Sequence, residues 1–355
     1  MPPTNRRHHL CQLSALGLAV SLPVRAVSSS SIPVLRVLAW PGYAEPEVVK
    51  SFEQIHGVQV ELTIIDTDEA LWRRISANHS SDFDVFAINT AELQRCIRHG
   101  LVSPVPGANI PNLKKQLPRF QDVRSIRGLV HGGKAMAVPF TYAEMGLIYD
   151  RQQIGQAPES INALWDVRYK GRVLAYNGGS HSFSLAAQTM GLSSPFKLGT
   201  KDWPVAVDKL IALRRNVAAF YAQPDESLEL FKSRQAALLF ANYGSQQLQL
   251  LKGAGLDVGY AIPKEGALAW LDCWAITRGV RDLALASAWI NHLLGKPASD
   301  LLRTRQGLAS TTEEPEHTRP TDRRVWLEPV EDDDRRNRMW ARIVSGDRAA
   351  KVLAS

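Results

Sequence analysis

The chain of 355 residues is 45% apolar and 22% charged, which excludes a disordered, collagenous or disulfide-scaffold protein and leaves room for about two domains. Its 42 Lys and Arg against 35 Asp and Glu give a net charge of +7, but residues 1–26 supply Arg6, Arg7 and Arg25 and no acid, so the remainder carries +4. That excess is small and is not gathered into a basic run with interleaved aromatics, which argues against a nucleic-acid partner.

The segment begins with a basic stretch (Asn5-Arg6-Arg7-His8-His9), runs uncharged from Leu10 to Val24, and reaches a small residue at Ala26. This is the pattern of an export signal, residues 1–26, with the periplasm as destination and the general or twin-arginine route left open. Gln12, Ser14, Ser21 and Pro23 make it too short and polar for a spanning helix. Removal of the signal leaves Cys96 and Cys273, too few for a disulfide framework.

After the linker 27–33, Val34 to Ala39 reads as a strand ending at Pro41-Gly42. Glu45 to His56 places Val48, Val49, Phe52 and Ile55 on one helical face, with Pro46 in the first turn and Gly57 past the end. Val58 to Ile65 is an alternating strand, Asp68 to Asn78 a helix, Asp84 to Ile88 a buried strand, and Ala91 to His99 a helix closing on Gly100. The pattern then restarts: extended from Ala137 to Tyr149, strands at Val173 to Ala175 and Ala237 to Ala241, helices at Ser182 to Met190 and Pro204 to Asn216. Trp270 to Ile276 is a further strand, and Leu283 to Leu294 an amphipathic helix. Glu313 to Arg338 is dense in charge and is expected to be a solvated surface. Strands alternating with helices imply α/β units, in which ligands gather at loops beyond the strand carboxyl ends.

Four segments, in order, resemble the spermidine/putrescine-binding family of periplasmic solute receptors of ABC transporters. They are the first strand with Trp40-Pro41-Gly42-Tyr43, Asp82-Phe83-Asp84-Val85-Phe86, Leu164-Trp165-Asp166-Val167-Arg168-Tyr169-Lys170-Gly171-Arg172-Val173, and Pro263-Lys264-Glu265-Gly266 through Trp270-Leu271-Asp272. The resemblance implies a two-lobed α/β periplasmic-binding-protein fold, type II-like, that closes on a solute between its lobes. The expected first lobe is 34–138 plus 277–310 and the second 139–276 plus 311–355, the latter carrying C-terminal helices. The implied partners are a small amine or polyamine-like solute and an inner-membrane ABC permease. A monomer without cofactor or metal is expected.

An amine receptor needs aromatic walls and an ionised carboxylate beside the ammonium. Trp40, Tyr43, Trp270 and Asp272 supply both, at positions matching the family's ligand-lining residues. Departures point to a changed solute. Where polyamine receptors carry an Asp and, three residues later, a Glu, this chain has Gly178 and His181; Asn242 replaces a Trp, and Asn89 and Ala91 replace a loop Ser and Tyr. One acid remains, with Glu144 the candidate replacement and Asn177 and Tyr243 completing the expected lining. A monocationic or zwitterionic solute is therefore expected in place of spermidine, with His181 either solvent-facing or a donor to a solute carboxylate. Rival readings are a receptor for ferric ion or an organic anion, and an exported hydrolase built on Cys273, His181 and Asp272. The hydrolase lacks any nucleophile elbow, P-loop or HExxH pair, and Cys273 alternates away from Asp272 along a strand, so no enzyme is expected.

Overall fold

A computed structural model describes residues 32–65, 67–316, 319 and 321–354; the expected export signal and most of the linker lie outside them. The first half runs β1 (Val34–Ala39), α1 (Pro46–His56), β2 (Gln59–Ile64), α2 (Asp68–Ser76), β3 (Val85–Asn89), α3 (Thr90–Arg98), β4 (Val102–Ser103), α4 (Pro118–Gln121), β5 (Val130–His131), β6 (Lys134–Ala135) and β7 (Ala137–Met145). It continues through β8 (Leu147–Asp150), β9 (Val173–Tyr176), α5 (Gly179–Thr189), α6 (Asp202–Asn216), β10 (Val217–Tyr221), α7 (Pro224–Ser233), β11 (Leu238–Phe240), α8 (Ser245–Gly253) and β12 (Val258–Ala261). The last elements are β13 (Ala267–Thr277), α9 (Leu283–Leu293), α10 (Lys296–Gln306), β14 (Ala309–Ser310), β15 (Arg324–Trp326), α11 (Asp333–Val344) and α12 (Ala349–Leu353).

Two sheets organise these elements into two lobes. The larger has the order β14-β7-β13-β3-β1-β2, with β4 and β15 also pairing β13; the smaller has the order β10-β9-β11-β8-β12. β1 runs parallel to β2 and β3, whereas the long β13 is antiparallel to β3 and β7, so the larger sheet is mixed. The chain passes from the larger to the smaller sheet at Gly146, between Met145 and Leu147, and not near Pro139, because β7 stays hydrogen-bonded to β13 along its length. It returns through residues 262–266, so Ala267 to Ile276 also belong to the larger sheet. A side chain at Gly146 would meet the Tyr260 ring and the Ala261 carbonyl within 2.8 Å, which keeps this passage tight.

Local signals account for most elements. α1 starts on Pro46 and closes on Gly57, whose N–H bonds the Glu53 carbonyl. Thr67 caps α2 at Ala70, Asn89 caps α3 at Ala91 and Glu92, and Asp282 caps α9 at Leu285. The buried stripe of α1 is Val48 and Phe52, Phe52 meeting Trp289 edge-on at 5.1 Å; Ile55, expected on that face, is exposed at the last turn. The acid-rich tail is also less solvated than its charge suggests. Arg336 of α11 is fully buried, pairing with Glu331 at 2.8 Å and donating to Ser180 O, Ser184 Oγ and Pro195 O. Met339, Trp340 and Ile343 beyond it join the core of the smaller sheet. Cys96 and Cys273 are free thiols in one core, and burial pushes the Cys96 thiol up to about 12.

Candidate functional site

The register of β13 decides which side chains share a face. Residues directly opposite one another in neighbouring strands project to the same side, and successive residues alternate. Trp270 pairs with Ala143, and Asp272 with Thr141 of β7 and Asn89 of β3; Ala269 pairs with Glu144 and Leu271 with Tyr142. Trp270 and Asp272 therefore look one way, and Glu144 and Tyr142 the other.

On the first face, the loop after β1 brings Tyr43 over Asp272, and its hydroxyl donates to Asp272 Oδ2 at 2.5 Å. Asp272 is only 8% exposed, and no cation pairs with it among the described residues. Burial raises its pKa from 3.8 to about 7, the Tyr43 hydrogen bond opposing this and the charge of Asp68 adding to it. The Tyr43 phenol is pushed up by burial and by Asp272. Trp40, partly buried beside Tyr43, packs between two apolar cores of the larger lobe, with its indole N–H buried and unpaired.

Trp270 of β13 joins this group to the smaller lobe, packing against the cores of both lobes. Its indole N–H donates to the Asn242 carbonyl at 3.2 Å, and the Asn242 side-chain oxygen meets His181 Nδ1 at 2.8 Å. The Tyr176 ring lies 5.6 Å from the His181 ring and 6.0 Å from that of Tyr243, whose hydroxyl donates to Ala222 O. Burial lowers the His181 pKa, so the imidazole is neutral near pH 7. Because an amide oxygen only accepts, His181 carries its proton on Nδ1 and offers Nε2 as an acceptor. The turn that holds Asn242 is set by Gly244 (φ 55°), where a side chain would come within 2.7 Å of the Glu144 carbonyl.

Other expected lining residues have structural partners. Glu144 is almost fully buried on the far face and binds Arg324 at 2.7 Å; Arg324 reaches Glu314, which holds Arg119 at 2.5 Å, and Arg119 reaches the Tyr142 hydroxyl. Glu144 thus already has a cation and is not brought to Asp272; burial raises its pKa against the pull of Arg324. Asn177 is exposed and accepts from the Trp340 indole. Asn89 caps α3 and also donates to Asp68 Oδ1 at 3.0 Å. The residues of the recognised motifs outside the cleft are joints: Asp84 accepts from the Arg36 and Arg281 backbone, and Glu265 takes Ser160 and the Ile161 N–H.

Two residues that sequence reasoning passed over stand beside this group. Asp68 opens α2 just past the end of β2, and Tyr176 ends β9. Their position beyond strand carboxyl ends was a usable signal. The charge of Asp68 acts on Asp272 and Tyr43 in one lobe and on Tyr176 in the other.

The fold agrees with comparison to known proteins. The family of bacterial extracellular solute-binding proteins matches residues 47–316, about three-quarters of the chain. The chain belongs to that family. The spermidine/putrescine-binding periplasmic protein of Salmonella typhimurium is 22% identical over 289 residues, covering 81% of this chain and 78% of its own. The putrescine-binding periplasmic protein PotF of Escherichia coli is 24% identical over 292 residues, covering 78% and 76%. Among solved structures, a spermidine/putrescine ABC transporter protein from Listeria monocytogenes superposes with a TM-score of 0.70 at 19% identity, covering 88% of this chain and 98% of its own. The Atu4243-GABA receptor gives 0.68 at 16% identity with the same coverage. The fold of this solute-binding protein is accordingly the two-lobed periplasmic-binding-protein fold, and its named relatives are binding proteins. No helix among the described residues is long and apolar enough to cross a membrane.

Proposed function

We propose that this protein is an exported, periplasmic receptor that captures a small amine between its lobes, closes on it, and delivers it as a monomer to an inner-membrane ABC permease. One observation carries the reading. Asp272 is a carboxylate more than nine-tenths buried whose Oδ2 takes the Tyr43 hydroxyl, and among the described residues Oδ1 receives no hydrogen bond and no cation neutralises it. A buried carboxylate in this state is costly unless a cation completes it, and an ammonium between Trp40, Tyr43 and Trp270 does so. Relatives named for putrescine and spermidine are consistent with a solute of this chemistry.

The far side of the cleft narrows the choice. A neutral His181 offering Nε2 accepts a hydrogen bond, which suits an N–H or O–H of the solute better than a carboxylate. An amine with a second donor is thus favoured over a zwitterion. Tyr176 and Tyr243 stand together, but burial raises both phenols, which opposes the phenolates that ferric ion needs.

The test is a thermal-shift screen of monoamines, diamines, guanidino amines, GABA, spermidine and ferric citrate, followed by calorimetry and small-angle scattering with the best ligand. A ligand at about 100 times its Kd stabilises the fold by about 2.7 kcal/mol. The proposal expects an amine to give the largest shift and a smaller radius of gyration when bound. A shift confined to anions or iron refutes it, and an unchanged radius with saturating amine refutes closure.

A further inference from the structure

The lobe that carries Asp272 holds a second carboxylate that none of the family motifs read from the sequence includes. α2 begins at Asp68 immediately after its cap, Thr67, and this places the Asp68 side chain against Asn89, whose Nδ2 donates to Asp68 Oδ1 at 3.0 Å. Asn89 lies directly across the β3–β13 pair from Asp272. Asp68, Asn89 and Asp272 therefore succeed one another over the end of the larger sheet, with Asn89 held by the N-terminus of α3 through its own oxygen. Oδ1 of the largely buried Asp272 takes no hydrogen bond among the described residues and is left for a donor that enters from solvent.

We propose that Asp68 is a specificity-determining second carboxylate of the cleft, so that one lobe alone grips the cationic head of the solute through Asp272 and Asp68 while the rest of the solute extends toward Tyr176, His181 and Asn242. This rests on the amine-receptor reading and deepens it. Receptors that place acids on both lobes select a cation at each end of the solute. Here both acids stand on one side, and the opposite side presents an imidazole acceptor, an amide and phenols, so the site takes a compact ammonium or guanidinium head with an uncharged hydrogen-bonding end.

The groups facing Asp272 are Tyr43 from the loop after β1, Asp68 from α2, the uncharged Asn89 from β3 and Thr141 from β7, with Cys273 beside it on β13. Of these Asp68 is the group whose negative charge opposes ionisation of Asp272 from outside its own strand. It acts in two ways: it attracts the incoming cation, and it holds Asp272 protonated to higher pH in the empty site.

The experiment compares the full chain with Asp68→Asn and, as an exposed control on α6, Asp208→Asn. Calorimetry with putrescine, agmatine and ethanolamine from pH 5.5 to 9 reads affinity. An infrared or carbon-13 titration of Asp272 in ligand-free protein, assigned with Asp272→Asn, reads its ionisation. Asp68→Asn should weaken the best-bound amine about threefold to fivefold at pH 7.5, since Asp68 is exposed and its attraction for a cation is screened by water. It should also move the Asp272 midpoint downward, while Asp208→Asn does neither. Melting temperature should hold, because the cap of α2 is Thr67; Asp68→Ser replaces it if the first variant folds poorly. Unchanged affinity together with an unchanged Asp272 midpoint overturns the proposal. If the unmutated protein binds no amine, the amine-receptor reading fails, and the ligand-free titration still decides whether Asp68 and Asp272 are coupled.

Discussion

Replacing Asp272 by Asn keeps the size of the side chain and its place under the Tyr43 hydroxyl but removes the buried charge. The group titrates near 3.8 in an unfolded chain and near 7 in the folded protein. Below pH 3.8 both states hold the proton and the carboxyl costs nothing. Between 3.8 and 7 the folded state keeps a proton that the unfolded state has released, so stability falls as pH rises, and above 7 the loss is complete. At about 1.4 kcal/mol for each factor of ten, the full loss is about 4 kcal/mol. Asp272→Asn escapes it, so the ligand-free variant should be the more stable protein, and its advantage should widen by about 2–3 kcal/mol from pH 5 to pH 8. Urea unfolding of both proteins at pH 5, 6, 7 and 8 measures this. The same substitution should abolish amine binding, because a desolvated ammonium then lacks its counter-charge, a loss of about 2–5 kcal/mol. A stability gap that stays constant with pH, or near-normal amine affinity in the variant, would refute the assignment of Asp272 as an uncompensated anchor.

Glu144→Gln should leave amine affinity within about threefold but lower stability by about 1–3 kcal/mol, since the buried Arg324 loses its shorter ion pair and keeps Glu314; denaturant unfolding beside calorimetry separates the two effects. Arg336→Ala should cost a similar about 3–5 kcal/mol, read as a lowered unfolding midpoint, because Glu331 loses its partner and three acceptors around α5 lose a donor. Gly244→Ala combines a left-handed backbone with a 2.7 Å approach to the Glu144 carbonyl, so it should cost more than the about 1 kcal/mol of backbone strain alone. By displacing the turn that holds Asn242, it should also weaken amine binding about tenfold in calorimetry.

Helix α1 between Pro46 and Gly57 and the apolar runs of the buried strands β3 and β13 are written in patterns a few residues long, and the sequence alone determines them because the forces involved are local. Alternation was enough to separate Cys273 from Asp272. The partners of the site were not legible in this way. Tyr43 and Asp272 are 229 residues apart, and only the packing of the loop after β1 onto β13 brings them to 2.5 Å. Glu144 looked like a spare acid because its cation, Arg324, lies 180 residues downstream and enters through β15; the face of β7 it occupies depends on the register with β13, not on its neighbours in sequence. Arg336 sat in a run of charge that reads as surface, yet it is buried because Glu331, the first half of α5 and the Pro195 carbonyl supply the partners that a guanidinium needs. Asp68 and Tyr176 carried a weak positional signal at strand ends, but bringing Asp68 near Asp272 and Tyr176 beside His181 depends on how α2 and β9 are docked against elements far away in the chain. Local order comes from backbone preferences and periodic burial, which the sequence specifies residue by residue. Charge compensation and the pKa values that follow from it belong to the tertiary fold, because they depend on which distant groups share a desolvated space.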